Sequence, residues 1–125
     1  MTPLALLYNI EESRMKQIEL LAASQGIRVR AVKPGEYGRP IGALCGLQSE
    51  GGAAGLWSDF SEEMMVMAFF EEGMMHRFLD AFRNTGIPSI RLKAVLTETN
   101  SRWSSCELRS ELLREEAAFR AMKKS

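Results

Sequence analysis

With 125 residues, 16 basic against 16 acidic side chains and a pI near 6.6, the chain has the size of one domain and no net charge to draw it to nucleic acid or an anionic membrane. Its apolar runs fall short of the ~18 residues a membrane span needs, and MTPLALLYNIEE reaches acidic residues too soon to hold the apolar core of a signal peptide. Cys45 and Cys106 stand far apart without a CxxC, so the expectation is a cytoplasmic location with both thiols reduced.

The first unit, residues 4–32, reads as strand, helix, strand. Leu4 to Tyr8 (LALLY) is an unbroken apolar run, the pattern of a strand buried on both faces. Asn9 is expected to cap the following helix, with Glu12 reaching back as in a capping box. Met15, Ile18, Leu21 and Ala22 recur at helical spacing, and Gly26 falls where a left-handed C-terminal cap belongs. Ile27, Val29 and Ala31 then alternate with Arg28 and Arg30, which predicts a strand with one apolar and one basic face.

Residues 33–61 read as a linker with a short helix, started by Pro40 in GRPIGALCGL and stopped near Gly46. QSEGGAAGLWSD is loop-like, with Leu56 and Trp57 expected to pin it to the body. The second unit, residues 63–97, opens with the apolar run MMVMAFF (Met64–Phe70) and continues into a helix carrying Met75, Phe78, Leu79 and Phe82, ended by Gly86. Ile90, Leu92, Ala94 and Leu96 alternate with Arg91, Lys93, Val95 and Thr97 in a fourth strand. Ser104 with Glu107 forms a capping-box pattern for a C-terminal helix over 103–122, which places Leu108, Leu112, Phe119 and Met122 on one face. Cys106, Leu113, Ala117 and Ala121 make a second, smaller apolar face suited to a partner subunit or to being sandwiched within the fold.

Laid over one another, residues 5–27 and 65–87 align Glu11 with Glu71, Met15 with Met75 and Gly26 with Gly86, and RVRAV (28–32) falls on RLKAV (91–95). Two βαβ units and a terminal helix predict a single α+β (α/β) domain with a four-stranded sheet, its apolar strands central and its half-charged strands at the edges. A ferredoxin-like split βαβ order 4-1-3-2 is favoured over a small doubly wound parallel sheet of order 2-1-3-4, because a parallel crossover between strands two and three needs a full helix that GRPIGALCGL barely supplies. The second face of the central strands is then covered by the last helix, the middle segment or a partner.

LKAVLTETNSRW followed by LRSELLREE, with the upstream GI and MMVMAFF, resembles a bacterial family of uncharacterised domains described only as a domain of unknown function, with an LKAVLTxTNxxW motif. The match is most specific over Leu92–Trp103 and looser from Met64 to Glu116, where the family often has His at the Glu116 position. The resemblance implies a small cytoplasmic α/β protein and supplies no activity.

Thr97, Thr99, Asn100 and Trp103 lie where strand four hands over to the last helix, a place where unpaired helix amides can hold an anion. Two readings stand: a ligand site, or, more simply, a turn and cap in which Trp103 staples the helix to the core. His76 has no second histidine or thiol at ligand spacing, so no metal site and no Cys–His nucleophile is expected, and no catalytic residue is assigned. The Glu11–Glu12 and Glu71–Glu72 pairs sit where helices open and need no acid–base role. GGAAG lacks the lysine of a phosphate-binding loop, and no cofactor is implied. Arg28, Arg30, Arg91 and Lys93 would share a sheet face, but without the aromatics an RNA-reading sheet uses. The expected function is a non-catalytic interaction or regulatory module with a protein partner or a second copy. The alternative is an enzyme or small-anion binder at the strand-four loop, and the third reading is a weak nucleic-acid binder.

Overall fold

The computed structural model describes residues 1–47 and 58–123. Strands β1 (Leu4–Tyr8), β2 (Arg28–Ala31), β3 (Met64–Ala68) and β4 (Leu92–Val95) form one sheet in the order β2-β1-β3-β4. Helices α1 (Glu12–Ser24) and α3 (Met74–Thr85) join the parallel pairs β1–β2 and β3–β4, while β1 and β3 run antiparallel, with Leu6 opposite Val66 at their centre. The mixed α/β class and the edge placement of the half-charged strands follow expectation. The ferredoxin-like order does not, and neither does an all-parallel sheet. Because β3 opposes β1, the segment after β2 leaves and re-enters at the same end of the sheet, so no crossover helix between β2 and β3 is needed. A long crossover is required only between parallel strands.

Every residue of β1 and β3 is buried, which their unbroken apolar composition requires of strands covered on both faces. On one face Ala5, Leu7, Met65 and Met67 pack under Ile18 and Ala22 of α1 and Phe78 and Phe82 of α3. On the other, Leu4, Leu6, Tyr8, Met64, Val66 and Leu92 meet Tyr37, a short helix α2 (Ile41–Leu44), and Leu108 of the long helix α4 (Ser105–Lys123). Burial of each such aliphatic side chain contributes ~1.5–3 kcal/mol. Residues called on to pin the glycine-rich loop, Leu56 and Trp57, lie outside the described residues.

The two units share turn chemistry. Each βα turn passes through a left-handed residue, Asn9 (φ 58°) and Phe69 (φ 63°), and each helix exits through a left-handed glycine, Gly26 (φ 73°) and Gly86 (φ 74°). The amides of Ile27 and Ile87 close those exits on the carbonyls of Ala22 and Phe82, both at 2.9 Å. The edge strands differ. Pairing of Leu4 with Arg28 and of Met64 with Leu92 displaces RVRAV by one residue from its sequence match RLKAV, and a one-residue slip exchanges the faces. Val29 therefore packs toward α1 and α3, and Leu92 toward α4. Arg30 and Lys93, aligned in sequence, also part: Arg30 bonds the Glu36 carboxylate and the Leu44 carbonyl, whereas Lys93 lies beside Met65 on the α3 side. No common basic face results. Ile90 precedes the strand and joins the α3-side core instead of sharing the face of Leu92.

Asn9 does not cap α1, whose N-cap is Glu11 without a side-chain bond. Its Nδ2 donates to the carbonyls of Phe60 (2.8 Å) and Glu62 (3.0 Å), and its Oδ1 accepts from the Tyr37 hydroxyl (3.2 Å). One side chain thereby ties β1 to both ends of the middle segment. Gly73 is the N-cap of α3, directly after the Glu71–Glu72 pair. Asn9→Ala should lower the unfolding free energy by about 1–3 kcal/mol in urea melts, through three lost hydrogen bonds and a left-handed alanine; Asn9→Gly should recover the backbone share only.

Candidate functional site

Past β4 the chain turns through a 3-10 segment, Asn100–Arg102, into α4. Asn100 is buried, and its side chain organises the turn: Oδ1 accepts from the Thr97 amide at 2.8 Å and Nδ2 donates to the Val95 carbonyl at 3.0 Å. The Asn100 amide in turn donates to the Thr97 hydroxyl at 3.0 Å, and the Trp103 amide to the Asn100 carbonyl at 3.1 Å. Thr97, Asn100 and Trp103 are thus brought together in one hydrogen-bonded turn, while the side chain of Thr99 stands exposed. The turn-and-cap reading accounts for this geometry without a ligand. Ser104 and Glu107 complete the cap as a capping box, Ser104 Oγ accepting from the Glu107 amide at 3.1 Å and Glu107 Oε1 from the Ser104 amide at 3.3 Å.

The same turn forms the dock for α2. The Ile41 amide donates to the Trp103 carbonyl (2.9 Å), the Ser105 amide to the Tyr37 carbonyl (3.1 Å), and Pro40 bridges Ser104. Gly42 lies so close that a Cβ there would stand 3.1 Å from the Ser101 carbonyl oxygen and 3.2 Å from the Ser101 Cβ. This explains why GRPIGALCGL needs its glycine inside the helix. Beneath it Tyr8 and Ser105 share a buried hydroxyl–hydroxyl bond of 2.7 Å, and Phe60 stacks on both Tyr8 and Tyr37, its centroid 4.4 Å from that of Tyr37, while the two tyrosine rings are tilted by 45°. Burial raises the pKa of both tyrosines, against the opposing pull of Ser105 on Tyr8 and of Asn9 on Tyr37, so both hydroxyls stay protonated.

Two ion pairs fasten α4. Arg109 holds Glu62 through two bonds (3.0 and 2.8 Å) and lies over the Phe60 ring; Arg91 holds Glu116 likewise (3.1 and 2.7 Å), with Arg120 alongside at 3.2 Å. The guanidinium bonds lower the pKa of Glu62 and of Glu116. Arg91 therefore anchors the last helix to the start of β4. A third pair joins Arg14 of α1 to Glu63. None of these long-range pairs has a local sequence signal. Burial pushes the Cys45 thiol up to about 11, with Arg30 opposing, so it serves as a small apolar residue. The Cys106 Sγ donates to the Ser58 carbonyl at 3.1 Å. His76 is exposed on α3, and among the described residues no cluster of His, Cys, Asp or Glu is placed to hold a metal ion. Nor is any helix among them long and apolar enough to cross a membrane.

Residues 63–119, somewhat under half of the chain, match the model of a family described as Domain of unknown function (DUF3783). The matched stretch runs from β3 through α3, β4 and the Asn100 turn into α4, so the family pattern covers the turn and one side of its contact with α2. Neither the comparison with curated proteins nor that with solved structures finds a match.

Gly42→Ala should lower the melting temperature, at a cost of about 1–3 kcal/mol for the forced separation of α2 from the turn. Gly35→Ala, where a Cβ meets nothing within 4 Å, should be close to neutral. The Glu62 contribution is complete above the ordinary glutamate pKa of about 4.3 and is lost as pH falls through the lower folded value. In urea melts across pH, Glu62→Gln should therefore be less stable than the parent at neutral pH and converge on it in acid.

Proposed function

We propose that the chain is a non-catalytic interaction module that pairs with a second copy of itself through the distal half of α4. The observation that carries this reading is Phe119, 59% exposed on a helix that buries Ser105 and Leu108 at its start. Met122, one turn on, is 74% exposed. Large apolar side chains grouped on one helix face are characteristic of interfaces, whereas scattered single ones are not. Of the two apolar faces expected from the sequence, Leu108, Leu112, Leu113 and Cys106 are used by the core, while Ala117, Phe119 and Ala121 are exposed, with the Lys123 Nζ 4.8 Å from the centroid of the Phe119 ring.

Charge favours a second copy as the occupant. Glu115 and Lys123 stand one turn before and one turn after Phe119. In an antiparallel two-fold pair centred on Phe119, each Glu115 meets the partner's Lys123, which is the self-complementarity an isologous contact requires. The inward hydrogen bonds of Asn100 favour this reading over anion capture at the strand-four loop, and the separation of Arg30 from Lys93 favours it over nucleic-acid binding. A cytoplasmic setting accords with two unpaired thiols, and the shared turn chemistry of the βαβ units supports an internal repeat.

Light scattering should give the mass of two 14.0 kDa chains at high protein concentration, falling toward one on dilution. Phe119→Glu should be monomeric throughout and melt at the temperature of the dilute, monomeric parent, since the side chain is exposed in the single chain. A parent protein that stays monomeric at every concentration would sink the proposal.

A further inference from the structure

A cleft of about 430 Å³ opens between the last turn of α3 and the start of β4, on the sheet face away from α4. That volume lies within the range of small-molecule sites. Met65, Phe82, Ile87 and Ile90, all buried, contribute its apolar lining, with Leu79 beside them; Arg83, Ser89 and Lys93 supply the polar lining. Among the described residues, two cations and no carboxylate line it. A second cleft, about 490 Å³ beside the start of α1, sets Lys16 and Lys33 against Glu12 and Glu19, so its charges balance.

Both cations have capacity to spare. Lys93 donates one of its three N–H groups to the Ile90 carbonyl at 2.6 Å, which holds the ammonium at the start of β4. Arg83 approaches Asp80 at 3.9 Å in a pair whose side chains are 83% and 59% exposed, a contact of little strength. Arg83 is not needed to satisfy the end of α3, because the amides of Gly86 and Ile87 take the carbonyls of Arg83 and Phe82.

We propose that this cleft binds an amphipathic monocarboxylate of the fatty-acid type. The apolar tail lies on Phe82, Ile87 and Ile90, and the carboxylate sits between Lys93 and Arg83 in charge-assisted hydrogen bonds. An apolar floor beside Lys93 and a weakly paired Arg83 selects an anion with a hydrophobic body over either a neutral lipid or a free inorganic anion.

The test is titration of the full chain with decanoate, and separately with decanol, below their aggregation limits, followed by amide chemical shifts. The titrations use the Phe119→Glu variant, so that α4 pairing cannot contribute. Decanoate should give saturable shifts at Met65, Leu79, Phe82, Ile90 and Lys93, and decanol should bind at least tenfold more weakly, the loss of about one charge-assisted bond. Lys93→Gln and Arg83→Gln should each weaken decanoate by about tenfold. Ser89→Trp, which fills the mouth from an exposed position, should abolish binding with the melting temperature retained. Equal binding of decanol, shifts centred on α4, affinity indifferent to both charge removals, or no saturable binding would each overturn the proposal.

Discussion

The antiparallel pairing of β1 with β3 is the constraint from which the rest of the molecule follows. Both strands are apolar at every position, so both faces of the sheet centre must be removed from water. Two helices from the βαβ units cover one face as a matter of connectivity, since each parallel pair needs a crossover. The second face has no such automatic cover. It is closed by pieces from remote parts of the chain: Tyr37 and α2 from the middle, Phe60 from before β3, and the start of α4 from the end.

Holding those pieces in place is a polar task. Asn9 reaches both flanks of the middle segment, the Trp103 and Tyr37 carbonyls receive amides across the gap, and Arg109 and Arg91 anchor α4 through Glu62 and Glu116. A covering helix is thus tied at its beginning and middle. From Arg114 to Lys123 every residue but Glu116 is exposed, and Phe119 meets solvent there. The same geometry leaves the α3–β4 cleft open on the opposite face, because α3 ends in the Gly86 turn before the chain re-enters the sheet.

The polar stretch TETN and Trp103 carries two jobs at once. Asn100 closes the end of β4, and the turn it builds presents the Trp103 carbonyl and the Ser101 backbone against which α2 rests. Its polarity exceeds what a helix cap alone needs because it is also a docking surface for a helix distant in sequence. Of the residues picked out from the pattern, Thr97, Asn100 and Trp103 belong to this turn, and Thr99 remains at the surface.

What the sequence by itself determined were the features written in nearest neighbours: the apolar runs of β1 and β3, the helical stripe of α1, the left-handed exits at Gly26 and Gly86, the capping box of α4 and the edge character of β2 and β4. These rest on periodicity and on single-residue backbone preferences, which act within a few residues. Only the tertiary structure decided the polarity of β3 against β1, the one-residue shift between RVRAV and RLKAV, the redirection of Asn9 from cap to tie, and the pairings of Arg91, Arg109 and Arg14. Strand polarity depends on where a connection returns, and an ion pair on which elements meet. Neither leaves a mark in local spacing.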